Sequence, residues 1–548
     1  MEITSLPAAD AAPRSSLLRS GSALSLMTLV SRVLGLLREM TKAALLGTSA
    51  LSDAFSVAFM IPNLFRRLFA EGSIAAAFIP TLKEYLLKNK TGETVMGQSK
   101  SRYDEQTVEF ISCMFTFLTF FVSLAVVLGV LLCPLIVPLF SMKAFDETIL
   151  LTRIMFPFLA FISIAALFQG ILNSVHVFTP SGLAPILLNL VTIACAYGLS
   201  PFTKNPARAM AVGIIIGGFL EAAIQFPFVW RKGFRFFFTG LGRAVKNPGT
   251  RTVLRLIGPT IIGMAAYQLN DLVSTALAGY AGEGVVSSLQ YSLRLQELIL
   301  GVFAVSIGTV LLPDLAEHAK TNRWENYNQR LSQAMDIIAL ITIPITFFFL
   351  AQGETLIRLL FQTRSFNEES VALTYGAFVF HMPGLFFIAL NRILAPAFYA
   401  QSDSRSPTLA GILSFAVNIT LAAVLVRPMR GSGVALALTI ASAANTGLLL
   451  VFLGRNPRIA VSKALGPAIL YAVKLIAFSA FAAVPVFLLG PRFNTFCANL
   501  GTGRLIRHGL PLAVEGLGFA AIGIALLLIS GDKQIKALRG IFRRKKSG

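Results

Sequence analysis

Along nearly the whole chain, long apolar runs alternate with short polar stretches. A helix needs about 20 apolar residues to cross the hydrocarbon core of a bilayer. Fourteen runs of that kind lie near residues 21–46, 51–86, 105–140, 149–173, 180–200, 207–231, 251–280, 285–316, 327–351, 368–399, 405–426, 432–454, 464–490 and 507–530. No stretch between them is long enough for a soluble domain. The pattern predicts an all-α polytopic membrane protein with 14 transmembrane helices. Several runs contain proline (Pro62, Pro157, Pro259, Pro344, Pro383, Pro396). These are expected to bend or break helices, which a bilayer tolerates where neighbouring groups or water satisfy the freed backbone.

A faint internal repeat divides the runs. FPFLAFISIAAL around Pro157 resembles HMPGLFFIAL around Pro383, 226 residues further on, and Glu71 and Glu297 have the same offset. Arg66 and Arg294 are 228 apart, and Pro180 and Pro407 are 227 apart. Runs one to six therefore mirror runs seven to twelve. An even number of crossings per repeat keeps both halves in one orientation. This predicts two six-helix bundles related by a pseudo-two-fold axis along the membrane normal, an arrangement suited to alternating access, plus two extra C-terminal helices. The expected organisation is a tail over 1–20, an N-terminal lobe over 21–232 and a basic linker over 233–250. A C-terminal lobe follows over 251–454, then the additional helices over 455–530 and a basic tail over 531–548.

Composition agrees. The 548 residues are 55% hydrophobic and only 13% charged, whereas soluble domains are about a quarter charged. The polar residues 1–20 run straight into the first apolar run, with no cleavage pattern of a removed signal, so the segment is expected to be retained. The four cysteines (Cys113, Cys133, Cys195, Cys497) have no metal-type spacing, which leaves packing as their expected role. The net charge of +21 would suit nucleic acid, but its distribution speaks against that partner. Lysine and arginine gather after the second run, between the sixth and seventh, and in the C-terminal tail. Those places share one side if both termini are cytoplasmic, as the bias of basic loops requires.

Residues 31–80 break the apolar rule. They are long enough for two crossings, yet they carry Arg32, Arg38, Glu39, Asp53, Arg66, Arg67 and Glu71. A charge at bilayer depth costs on the order of 3 kcal/mol on insertion scales, so a span that merely anchored would not keep these. The expectation is helices lining a water-filled cavity. Its arginines suggest a phosphate-bearing ligand, because the guanidinium fork fits phosphate oxygens and stays charged. Arg38, Arg66 and Arg294 are expected to form a pyrophosphate site built from both halves. Against this stands snorkelling to the interface or neutralisation of nearby acids, the preferred reading for Arg67. Glu297 follows Arg294 by three residues and Glu71 follows Arg66 by five, so only the first pair is set for a same-face contact.

SRVLGLLRE, SDAFSVAFMIPNLFRRLFAEGSIAAAFIP, LAPILLNL, LRLQELILGVFAVSIGTVLLP and LAPAFYAQSDSRSP resemble the bacterial lipid II flippases (the MurJ or MviN family, of the MOP exporter superfamily) from about residue 20 to 454. The resemblance implies a carrier that moves lipid II, an undecaprenyl-pyrophosphate-linked disaccharide-peptide, from the cytoplasmic to the periplasmic leaflet of the bacterial inner membrane. It places substrate-binding roles on Arg32, Arg38, Asp53, Asn63, Arg66, Ser287, Arg294 and Glu297, with packing an equal reading for Ser287. Leu293 stands where the family often has an acid. Membrane lipids are expected partners, and the last two helices an apolar groove for the polyprenyl tail. Asp271 and Asp403 are candidates for a coupling cation. The seventh-span acid of ion-coupled relatives would fall nearer Ser274, and helix capping is the plainer role for Asp403.

His176, His318, His381 and His508 form no cluster, and no hydrolase, zinc-protease or nucleotide-binding motif occurs. No enzymatic activity and no cofactor are expected. Transport would draw on a gradient or the membrane potential, or would be passive. The competing readings are a flippase for a lipid-linked oligosaccharide and a cation-coupled multidrug antiporter of the same fold. The antiporter should show acids rather than arginines in its spans.

Overall fold

The computed structural model describes residues 14–68, 73–92, 103–459, 461–501, 503–532, 534 and 536. Glu71 and most of both tails lie outside the described residues. The helices are α1 (Arg14–Leu46), α2 (Ala50–Arg66), α3 (Ser73–Gly92), α4 (Glu105–Ile136), α5 (Phe145–Met155), α6 (Phe158–Ser174), α7 (Thr179–Gly198), α8 (Pro206–Arg231), α9 (Leu241–Lys246), α10 (Pro248–Tyr280), α11 (Val285–Lys320), α12 (Trp324–Phe361), α13 (Glu368–Tyr399), α14 (Arg405–Leu453), α15 (Val461–Leu500) and α16 (Leu510–Ile529). No strand occurs among the described residues. Nine helices among the described residues are long and apolar enough to cross a membrane. The protein is a nearly all-helical, multi-pass membrane protein.

Each of the expected runs falls on helix. The run at 51–86 is divided between α2 and α3, and that at 149–173 takes in the end of α5 and α6. The runs at 405–426 and 432–454 are the two arms of α14, joined at a single non-helical residue, Arg430 (φ 51°, ψ −130°), rather than by a loop. Of the prolines expected to disturb helices, Pro157 sits at the break before α6. Pro344, Pro383 and Pro396 lie inside continuous helices. Around Pro383 the physical reason is visible. Thr439 Oγ1 donates to the Phe380 carbonyl at 2.6 Å, Thr346 Oγ1 donates to that of Met382 at 3.1 Å, and Gln296 Nε2 donates to that of His381. Side chains of three neighbouring helices thus brace the turn before Pro383, where the ring crowds the carbonyls.

The described chain forms two compact units. Unit 1 comprises Met1–Lys42, Ala54–Leu139 and Ala144–Gln268; unit 2 comprises Ala43–Asp53, Phe140–Lys143 and Leu269–Gly548. The boundary between them falls inside α10.

In unit 1, α8 packs on α7 through Gly213 and Gly217, a small-xxx-small pair that lets backbones approach. A Cβ at Gly213 would stand 3.0 Å from Thr192 Cα and 2.8 Å from Cys195 Cβ, and one at Gly217 would stand 3.1 Å from Leu188 Cα. Cys195 therefore does the packing work expected of it. On the next face of α8, Gly218 admits the ring of Phe158 from α6.

In unit 2, α12 is fastened to α13 where Tyr327 Oη donates to the Ala397 carbonyl at 2.6 Å. Leu331, Ile338, Leu385, Ile393 and Leu394 fill the core around that contact. α15 and α16 pack on α12 through two smaller apolar clusters. One holds Ala339, Ile343, Leu475 and Leu527; the other holds Ala482, Ala483, Val486 and Phe519. At one end of the pair, Lys474 Nζ reaches the buried Asp532 carboxylate at 2.9 Å.

Candidate functional site

Within unit 1, one face of α2 carries Ser56, Phe59, Asn63 and Arg66, spaced for a single helical stripe. α1 meets this stripe with two cations. Arg38 lies with its guanidinium carbon 5.6 Å from the Phe59 ring centroid. Its Nη2 bonds the neighbouring Glu39 at 2.9 Å, both side chains being 16% exposed. Lys42, only 3% exposed, donates to Ser56 Oγ at 2.8 Å and lies 3.8 Å from the other oxygen of Glu39. Further along the stripe, about 10 Å beyond Phe59 at 1.5 Å per residue, Arg66 Nε donates to Asn63 Oδ1 at 2.7 Å. The amide thus orients the guanidinium from one turn back. Arg67 points elsewhere, toward Gln268 Oε1 at 3.5 Å. Arg32 is half-buried on α1.

Lys42 was not among the sequence candidates. Its signal was available: it stands one turn after Arg38, on the same face. A buried lysine bonded to a serine and close to one carboxylate oxygen adds to a positive stripe, and Glu39 partly offsets it.

Within unit 2, the turn between α1 and α2 is held by Asp53. Its Oδ2 accepts from Gly284 N at 2.7 Å and its Oδ1 from Ser287 N at 2.8 Å. The carboxylate therefore caps the N-terminus of α11 from a distant part of the chain, where a negative group is best placed. Gly284 has φ +79°, and a Cβ there would fall 2.3 Å from the Thr48 carbonyl oxygen, so only glycine fits. Tyr291 Oη donates to the Gly47 carbonyl at 3.1 Å, Thr48 and Ser370 hydroxyls meet at 2.7 Å, and Ala50 N donates to Glu283 at 3.0 Å. The Ala50 N–H and Lys143 hold the Glu283 carboxyl below its ordinary range. Ser287 is fully buried, its hydroxyl turned back to the Gly284 carbonyl.

Arg294 and Glu297 form the same-face pair that their spacing predicts, at 3.2 Å and with side chains 35% and 52% exposed. An exposed pair of this kind contributes about 1 kcal/mol or less. Glu297→Gln should therefore leave thermal stability nearly unchanged while releasing Arg294. Cysteine accessibility along α11, with and without substrate, reads the result; an unchanged labelling pattern would reduce Glu297 to a structural partner.

The two cation candidates belong to no group of three or more His, Cys, Asp or Glu side chains among the described residues. Asp403 Oδ1 accepts the backbone N–H groups of Arg405 (2.9 Å) and Ser406 (3.1 Å), capping α14. Asp271 is half-buried on α10. Near it, Asn418 Nδ2 donates to Asn270 Oδ1 at 2.7 Å and Ser274 Oγ at 2.8 Å. An amide nitrogen there occupies two oxygens that a cation would need. No group of three or more His, Cys, Asp or Glu side chains that could hold a metal occurs among the described residues.

A multi-pass helical protein that holds Lys42 buried and Arg38 and Arg66 half-buried on two adjoining helices carries more charge than a membrane anchor needs. The comparisons agree. Residues 42–500 match the family model described as Lipid II flippase MurJ. A probable lipid II flippase MurJ of Treponema pallidum is 45% identical over 529 residues, covering 96% of this chain and 99% of that protein. The lipid II flippase MurJ of Burkholderia cenocepacia is 34% identical over 442 residues, covering 79% of this chain and 82% of its own. Among solved structures, an inward closed conformation of lipid II flippase MurJ matches with a TM-score of 0.74 at 22% identity, covering 93% of this chain and 99% of that one. An inward-facing MATE family multidrug transporter of the MOP superfamily matches with a TM-score of 0.62 at 14% identity, covering 81% and 99%. At these identities the two structures establish the fold alone. The chain belongs to the lipid II flippase MurJ family.

Proposed function

We propose that this chain is a flippase for lipid II, carrying it from the cytoplasmic to the periplasmic leaflet of the bacterial inner membrane by alternating access, with both termini cytoplasmic. The observation that carries the reading beyond family membership is the stripe of Arg38, Lys42 and Arg66 on α1 and α2. Clustered cations of this kind match a ligand whose charge is a pyrophosphate. In unit 2, Arg294 offers a further guanidinium, paired among the described residues with an exposed acid that an entering phosphate can displace. That competition gives the ligand the differential interaction with two states that any population shift requires. Asp53 acts in this cycle as a latch rather than a ligand: its carboxylate is spent on α11. Arg32 and Asn63 serve as accessory positions in unit 1, and Ser287 and Glu297 in unit 2. Depletion of the protein should leave lipid II on the cytoplasmic leaflet. Normal outward appearance without it, and without a substitute carrier, would sink the proposal.

The MATE neighbour shares the fold, and fold does not decide function. An exporter of organic cations needs acids facing its substrate, and the charged stripe of unit 1 is predominantly basic. A purified-protein binding assay that prefers lipid II over undecaprenyl phosphate separates a head-group site from a general polyprenyl site.

α15 and α16 are the proposed seat of the polyprenyl tail. They expose Leu470, Val473, Phe481, Leu488, Leu517 and Ile529, an apolar surface suited to a long hydrocarbon. Truncation after Arg455 is expected to weaken handling of full-length lipid II more than of a short-chain analogue. Equal transport of both by an inserted truncate would remove the groove assignment.

A further inference from the structure

Glu515 lies inside α16, among the apolar side chains with which that helix and α15 pack on α12. Gln352 of α12, 3% exposed, donates its Nε2 hydrogen to Glu515 Oε2. From α15, Gly490 closes the third side: a Cβ there would come within 3.0 Å of Gln352 Nε2 and 3.2 Å of Glu515 Oε2. The remaining oxygen of each side chain, Gln352 Oε1 and Glu515 Oε1, is buried and has no hydrogen-bond donor among the described residues. Phe348 and Phe519, with ring centroids 5.5 Å apart, and Val486 make the surroundings apolar.

The donors and acceptors do not balance if Glu515 is an anion. Three oxygens then face one donated N–H, and two of them are orphaned at about 1–3 kcal/mol each. The charge itself adds a cost on the order of 3 kcal/mol at bilayer depth. The charged groups on the three helices do not relieve it. On α12, Arg358 is engaged by Glu354 and Glu368. Arg492 follows Gly490 on α15, and Arg504, Arg507 and His508 precede α16. None of them makes an ion pair with Glu515 among the described residues. One proton removes the whole imbalance. On Glu515 Oε1 it turns an orphan acceptor into a donor for the orphan Gln352 Oε1. The acid and the amide then exchange two hydrogen bonds, and no net charge remains.

We propose that Glu515 is a proton-binding site: it carries a proton at neutral pH and, as a neutral acid, forms a two-way hydrogen-bonded pair with Gln352 that fastens α16 to α12. The proton is the only ligand required, and the inference does not depend on what the protein transports. Losing the proton costs the second hydrogen bond and leaves an anion against α12, so alkaline conditions loosen α16. The sign follows from linkage: the folded protein holds a proton that the unfolded chain releases at neutral pH, so stability falls as pH rises.

The test is an infrared difference spectrum of the full-length protein in lipid vesicles at neutral pH, wild type against Glu515→Gln. Loss of a protonated-acid carbonyl band in the variant is expected; loss of an ionised carboxylate band instead overturns the proposal. Glutamine preserves the two-way pairing, so the variant should keep the wild-type Tm and lose its decline at alkaline pH. Should the variant misfold, the wild type is labelled with dicyclohexylcarbodiimide, which adds to protonated acids in apolar surroundings. Mass mapping of α16 should find Glu515 modified at neutral pH, with labelling falling about tenfold per pH unit once the proton is lost. No labelling of Glu515 at neutral pH, while the reagent modifies the same peptide in acid, equally overturns it.

Discussion

Alanine at Arg38, at Arg66 or at Arg294 is expected to abolish complementation of a flippase-depleted cell while the protein still reaches the membrane at normal levels. The three residues have different neighbours. Arg38 is backed by Glu39 and the Phe59 ring, and Arg66 is oriented by Asn63. Arg294 is paired with exposed Glu297. What they share is a guanidinium carried on a helix of a multi-pass membrane protein. Hydrogen bonds to charged groups contribute about 1.5–3 kcal/mol each, so losing a single such bond should weaken head-group binding by about 10- to 100-fold. Lysine should rescue poorly where two phosphate oxygens are gripped together. Arg38→Ala also leaves Glu39 beside Lys42 alone, which keeps the acid partnered and the helix insertable. A lipid II binding assay on the purified variants checks the assignment. Wild-type affinity in any one of them removes that residue from the site.

Asp53→Ala should release the turn between α1 and α2 from α11. The carboxylate holds two backbone N–H groups of the α11 N-terminus, at 2.7 and 2.8 Å. Removing a cap typically costs about 1–2 kcal/mol. Hydrogen exchange at Gly284 and Ser287 should then accelerate by about 5- to 30-fold. Asparagine should be little better, because its amide nitrogen would face one of the two N–H groups as a second donor. Function should fall with the latch even though the arginines are intact, which separates a conformational role from a ligand role. Exchange at wild-type rates in Asp53→Ala would return this residue to the list of direct substrate contacts.

The cycle proposed here thus rests on two kinds of charge. The arginines are held by weak or local partners, and an entering phosphate can compete for them. Asp53 is held by backbone groups that no ligand replaces. The Glu515–Gln352 pair is a third kind, a group that avoids charge altogether where α16 meets α12.

Much of this was legible in the chain. The apolar runs marked the helices because a bilayer offers the backbone no other partner, which makes helix the default over any sufficiently apolar stretch. The charges within residues 31–80 marked a segment unlike a plain membrane anchor, because insertion penalises each one. The Arg294–Glu297 pair and the Asp403 cap were also readable, since both are contacts between residues two or three apart. Lys42 was readable by the same rule, one turn from Arg38, yet its burial depended on Ser56 of another helix. Other features became visible only once the chain was folded. Asp53 caps a helix that begins more than 230 residues later, and nothing near Asp53 in sequence announces it. The turn before Pro383 is braced by Thr346, Gln296 and Thr439, from three other helices, which bond the carbonyls of α13. Gln352 and Glu515 are 163 residues apart. The sequence by itself determined which segments are helices, because burial in lipid and backbone satisfaction are local demands. The tertiary structure alone decided which polar groups within those helices find partners, because a hydrogen bond depends on distances between helices that no local pattern encodes.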